Sequence, residues 1–195
     1  FDDLNGRNPV GNLVQSPNGK LYGVTGEGGS NNAGVLFEYD PVSKVYAKKH
    51  DFGSPGGYDP NSSLVLASNG KLYGTAYGGS DVLGVLFEYD PETNVYAIKS
   101  DFEDTSGIFY PVGSLMQASN GKLFGIAGAT VPATNYHGGS IFTYDTLSET
   151  CTKLRGLSVS DGCFDSYWFK GSLTEISVVN GATTVESGQD FEVFP

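Results

Sequence analysis

The chain has 195 residues, 17% charged and 13% aromatic, which is too apolar and aromatic for a disordered chain and enough to bury a core. Its 22 acidic against 11 basic residues give a net charge of −11, which argues against a sequence-independent grip on nucleic acid or on an anionic membrane surface, since both need clustered Lys and Arg. No apolar run reaches the roughly 18 residues of a spanning helix, so membrane insertion is not expected. Glycine, at 28 residues, is about twice its usual share of roughly 7% and lacks a triplet period, which points to many tight turns. The chain opens at Phe1, without Met and inside a repeat, so a processed, trimmed or partial product is expected.

Along the chain the same blocks return. The first is NPVGNLVQSPNGKLYG from Asn8, DPNSSLVLASNGKLYG from Asp59 and YPVGSLMQASNGKLFG from Tyr110, which sets Asn18-Gly19, Asn69-Gly70 and Asn120-Gly121 at intervals of 51 residues. The second is GVLFEYDP from Gly34, GVLFEYDP from Gly84 and a weaker GSIFTYDT from Gly139. The third is VYAKKHDF ending at Phe52, VYAIKSDF ending at Phe102 and a divergent CTKLRGL ending at Leu157. Within the second unit, Leu64 to Ala67 and Leu72 to Thr75 read as a hairpin, closed by a two-residue Asn-Gly turn with both central residues at positive φ. Gly78-Gly79-Ser80 turns the chain into a strand from Val85 to Tyr89, and Asp90 to Asn94 turns it into a fourth from Val95 to Phe102. Four antiparallel strands per unit cannot cover their own apolar faces, so successive units are expected to stack as the blades of a β-propeller; a stack of meanders or a solenoid is the alternative. The units run over residues 1–52, 53–102, 103–157 and, in part, 158–179, with 180–195 as a C-terminal strand or linker.

Leu-Tyr-Gly, then Gly-Gly, then Phe-Glu-Tyr-Asp-Pro resembles the kelch repeat, which implies an all-β, kelch-like propeller with a repeat of about 50 residues. The longer string NGKLYGTAYGGS followed by GVLFEYDP resembles the Gly-rich Gloeobacter–Verrucomicrobia repeat of secreted and surface bacterial proteins. Two departures stand out: an insertion around Thr130 to His137 in the third unit, and loss of its Asp-Pro turn. In the fourth unit Leu173 matches Leu13, Leu64 and Leu115, but Asn180-Gly181 is followed by no Leu-Tyr-Gly. The ending Phe191 to Pro195 resembles the lead-in to a type IX secretion sorting domain, or is an ordinary last strand; the former implies export to the surface of a Gram-negative bacterium. In such a compartment Cys151, in the last strand of the third unit, and Cys163, twelve residues on, are expected to form a disulfide, with two separately buried thiols as the alternative.

Catalytic constellations are scarce. With His50 and His137 the only histidines, a multi-histidine metal site within one chain is hard to assemble. Glu38 with Glu88 and Asp40 with Asp90 occupy equivalent positions, and Asp before Pro reads as a turn former, not an acid or base. Loops at Asp2 to Gly6 and Glu103 to Gly107 offer oxygens suited to calcium but lack the spacing of a calcium loop, and read as solvated turns; no cofactor is expected beyond that calcium option.

The aromatics offer the best binding signal. Tyr58, Tyr110 and Trp168 precede the first strand of successive units, and the third-unit insertion adds Asn135, Tyr136 and His137. Rings beside Asn and Asp suit sugars; packing between the units is the other reading. The expected function is a secreted or surface, non-enzymatic module for adhesion, glycan binding or assembly with a glycan or surface protein as partner. Two alternatives stand beside it: a carbohydrate-active enzyme with its site in the third-unit loops, and a structural subunit of a fibre that self-associates through open sheet edges.

Overall fold

The computed structural model describes residues 2–80, 83–103, 106–131, 136–157, 173–177 and 183–187. Strands β1 (Arg7–Gln15), β2 (Leu21–Glu27), β3 (Val35–Asp40) and β4 (Val45–Asp51) form a first antiparallel sheet, paired in that order. In the second, β5 (Tyr58–Pro60) and β6 (Val65–Leu66) share the edge of β7 (Leu72–Tyr77), followed by β8 (Val85–Asp90) and β9 (Val95–Asp101). The third consists of β10 (Pro111–Gln117), β11 (Leu123–Val131), β12 (Tyr136–Asp145) and β13 (Thr150–Leu157), and β14 (Leu173–Ser177) pairs with β15 (Thr183–Ser187). The fold is therefore all-β, with a four-stranded antiparallel sheet in the first and third units and, in the second, the same arrangement with its first strand split into β5 and β6. Among the described residues no strand pairing joins the first sheet to the last, and the array is not closed.

The turns differ from expectation in one respect. Ser16 N–H donates to Lys20 O and Gly19 N–H to Ser16 O, so the β1–β2 loop is a tight turn through Pro17 and Asn18 followed by a left-handed Gly19. Only the glycine has positive φ, at 82°, with 81° at both Gly70 and Gly121. This is a three-residue loop with a bulge, not a two-residue turn with two residues at positive φ. Asn18 serves through its side chain, its Oδ1 accepting from Lys20 N and its Nδ2 donating to Tyr22 OH. At the opposite hairpin Asp40 Oδ1 accepts from Val42 N and Ser43 N, and Asp90 and Asp145 do the same in their units. The third unit thus keeps this turn without its proline, because the aspartate oxygen closes it. The third-unit insertion instead lengthens β11 and β12 into a hairpin paired as far as Val131 with Tyr136.

The core lies between sheets. Tyr22, Val24, Leu36 and Phe52 of the first unit pack with Leu64, Leu72, Val85, Phe87 and Tyr89 of the second. On the other side of the second sheet Tyr73, Leu86 and Phe102 pack with Leu115, Leu123, Phe142 and Tyr144 of the third. Phe87 and Leu86 are neighbours in sequence and face opposite units, as the two-residue period of a strand requires. Strands β7 and β8 are accordingly buried on both faces, and full burial of each such side chain stabilises by about 1.5–3 kcal/mol.

Candidate functional site

At the end of the sheets where β1, β5 and β10 begin, three equivalent residues form a row. Asn8, Asp59 and Tyr110 each precede a proline and each take a left-handed backbone, at φ 57°, 48° and 50°. Asn and Asp tolerate that region, whereas a bulky ring there carries strain of about 1–3 kcal/mol. Backbone bonds hold Tyr110 in place: its N–H donates to Leu83 O at 2.6 Å and its carbonyl accepts from Gly128 N at 3.0 Å.

Around this row the sequence-predicted aromatics separate. Tyr58 stands one position before Asp59, so it is not the counterpart of Tyr110, and the two rings do not share a register. Tyr58 is paired across the ladder with Tyr77, whose ring meets Tyr110 edge-on at 6.3 Å. All three rings are part-exposed. Tyr77, Asn8 and Asp59 were not singled out from sequence; aligning the units on Pro9, Pro60 and Pro111 instead of on aromatic rings would have found the last two. In the first unit Gly26 takes the place of Tyr77. A methyl group placed on Gly26 would stand 3.0 Å from Asp59 Oδ1 and 3.9 Å from Asn8 Nδ2, so both polar side chains converge over the gap the glycine leaves. Partial burial, followed by the nearby Glu27 carboxylate, holds the Asp59 carboxyl above its ordinary value. The arrangement sets two polar groups beside a cluster of rings, suited to hydroxyls on one side and an apolar sugar face on the other.

Asn135, Trp168 and Cys163 lie outside the described residues, as does the stretch from Phe191 to Pro195. For Tyr136 and His137 the ladder pairing with Val131 and Thr130 is described. Cys151 is packed against the core of the second and third units, and burial pushes its thiol up to about 11.

Glu38 and Glu88 are buried in structural networks. Glu38 accepts from Lys20 Nζ at 2.6 Å and Tyr22 OH at 2.7 Å, with Lys49 Nζ at 3.3 Å; Glu88 accepts from Lys71 and Tyr73 in the same way. Burial works against each charge, but the hydrogen bonds outweigh it and hold both carboxyls below their usual range. Asp2 Oδ1 accepts from Leu4 N and Asn5 N and so closes its own turn. Among the described residues no group of three or more His, Cys, Asp or Glu is placed to hold a metal ion.

Tandem four-stranded antiparallel sheets, packed face to face through repeated contacts, define an all-β tandem-repeat protein. The chain belongs to the Gloeobacter/Verrucomicrobia repeat family, whose model matches residues 1–191. No curated protein sequence matches it. Among solved structures it is similar to the extracellular domains of two B. thetaiotaomicron proteins, one described as a hybrid two-component system and one as a one-component system. The first is 14% identical over 91% of this chain and 20% of its own, with a TM-score of 0.55; the second is 12% identical over 90% and 20%, with a TM-score of 0.53. A protein of unknown function from Dyadobacter fermentans is 13% identical over 90% of this chain and 60% of its own, with a TM-score of 0.54. At these identities the likeness is one of fold, and this chain spans about a fifth of the length of the first two.

Proposed function

We propose that the chain is a non-enzymatic extracellular recognition module, secreted or displayed at the surface of a Gram-negative bacterium, that binds a glycan along the row of Asn8, Asp59 and Tyr110. The observation that carries this reading is Tyr110, an aromatic ring held at a left-handed position where the two preceding units have Asn and Asp. Strain of this kind is kept where the side chain's placement matters. The similarity to extracellular domains supports the compartment. The repeated inter-sheet contacts support a propeller-like scaffold, with the sheets as successive blades and the loops at one end as the recognition surface.

The test is a glycan-array screen of the 195-residue protein, followed by calorimetry on the best binder. Tyr110→Ala and Asp59→Asn should each weaken binding at least tenfold with unchanged far-ultraviolet circular dichroism. Binding that survives both substitutions would move the site elsewhere, and turnover of the bound glycan would replace the module by an enzyme.

A further inference from the structure

The first unit leaves open a face that each later unit has covered. Leu64, Leu115 and Leu173 are 6%, 6% and 4% exposed, whereas Leu13, at the same position, is 54% exposed. Tyr89 and Tyr144 are fully buried, with rings 6.0 Å from Tyr22 and Tyr73 of the preceding sheets, but Tyr39 at their position is only half-buried.

The covered interfaces are matched residue by residue. Ser68 N–H donates to Gln117 Oε1 at 2.8 Å, and Ser119 N–H donates to Glu175 Oε2 at 2.8 Å. At the first interface the turn residue is Pro17, which has no N–H, and the residue in the place of Gln117 is Leu66. A second pairing runs from Lys49 to Asn94 at 2.9 Å, and from Lys99 to Glu149. On the open face of the first unit these two places hold Gln15 and Lys44. Gln15 donates its Nε2 to Gly19 O, as Gln117 does to Gly121 O, which leaves its Oε1 directed to the place where Gln117 takes the neighbour's N–H.

We infer that this face docks a further unit of the same repeat, set ahead of the first. Its Asn-Gly turn carries a backbone N–H opposite Gln15, and its fourth strand carries a carboxylate opposite Lys44. The charge complementarity is specific: the corresponding faces of the first and second units present Lys49 and Lys99, which would repel Lys44, and both are already buried against their neighbours. Those faces in a second copy are therefore not the occupant. The inference concerns a surface apart from the Asn8–Tyr110 row, and either can fail without the other.

The test joins a copy of residues 53–102 ahead of Asp2 in the full chain, once unchanged and once carrying Lys99→Glu, and follows amide exchange over β1 by mass spectrometry. Exchange should slow at least tenfold with the Lys99→Glu copy and less with the unchanged copy, and Leu13→Asp should abolish both effects. In the unextended chain, light scattering should give a 20.6 kDa monomer, and Leu13→Asp should leave the melting temperature unaltered. Unchanged β1 exchange in both extended chains overturns the inference. So does an unextended dimer that Leu13→Asp separates, which makes a second copy the occupant.

Discussion

The imidazole of His50 lies flat on the ring of Tyr96, with centroids 3.7 Å apart and planes 8° from parallel, across the interface of the first and second sheets. Tyr96 OH donates to Gly56 O, which fixes the ring that His50 stacks on. In the next interface the same two places hold Ser100 and Cys151, a small pair in hydrogen-bonding contact. A large side chain thus faces a large one and a small one a small one, so the packed space between sheets stays filled.

This stack makes stability depend on pH in a definite direction. Burial lowers the His50 pKa from its ordinary value, against a smaller opposing effect of Asp51. The folded state therefore favours the neutral ring. Its contribution is complete above the unfolded-state value of about 6.5 and is lost as the pH falls from there towards the folded value. The networked carboxyls Glu38 and Glu88 are held below their usual range, so their contribution is complete above about 4.5 and is lost only as the pH falls below that value, outside the range in which His50 titrates. The melting temperature should fall between pH 7.5 and 5.5, and His50→Asn should flatten that slope. An equal slope in the variant would remove His50 as the cause.

The glycine of each Leu-Tyr-Gly or Leu-Phe-Gly block is set by an aromatic tip. A methyl group on Gly125 would stand 2.3 Å from Phe142 Cζ and 2.8 Å from Leu115 Cδ2; on Gly74 it would stand 2.5 Å from Phe87 Cζ. Gly125→Ala and Gly74→Ala should each destabilise by about 1–3 kcal/mol in urea titration. Gly23→Ala should cost less, because one of its two close neighbours, Leu13, is exposed and can yield.

The repeat and its strands were legible because turn residues punctuate them. Asn-Gly, Gly-Gly and Asp-Pro fall at the ends of apolar runs, and β7, β8 and β9 lie where those signals place them. The geometry of the Asn-Gly loop was not legible: the dipeptide fits two turn types, and the bond from Ser16 N to Lys20 O selects the longer one. Of the row of Asn8, Asp59 and Tyr110 only the ring of Tyr110 stood out in the sequence, because a left-handed backbone shared by three different residue types leaves no common side-chain signal. The matched pairs between sheets could not be read either. Residues about 50 apart in sequence become partners only once the sheets are stacked.

Tyr73 and Glu88 in the second unit correspond to Phe124 and Thr143 in the third, so the hydroxyl donor and its carboxylate are lost together. Thr143 Oγ1 instead donates to Leu123 O at 2.9 Å. Glu88→Thr alone leaves the buried Tyr73 hydroxyl without its acceptor and should cost about 1–3 kcal/mol. Adding Tyr73→Phe should recover part of that loss. Chemical denaturation of the two single variants and the double checks this, and simple additivity would rule out the coupling.

The same logic predicts an exchange of turn pairs between interfaces. Ser68 gives its N–H to Gln117 across the second interface, while at the first interface the equivalent positions hold Pro17 and Leu66, on turns closed by the same bonds from Gly70 N to Ala67 O and from Gly19 N to Ser16 O. Proline therefore fits the backbone at position 68, where it would reduce the entropy of the unfolded chain by about 0.4–1 kcal/mol. Against this, Ser68→Pro removes the two bonds that Ser68 makes with Gln117, through its N–H and its Oγ, each worth about 0.5–1.5 kcal/mol, and leaves Gln117 only its bond to Gly121 O. Ser68→Pro should thus destabilise the native chain slightly, whereas Ser68→Pro with Gln117→Leu, which copies the first interface, should be at least as stable as the native. A double-mutant cycle by thermal unfolding should show coupling of about 0.5–1.5 kcal/mol. Zero coupling would mean that the pairing of Pro17 with Leu66 is incidental and that the sheets are matched by their apolar side chains alone.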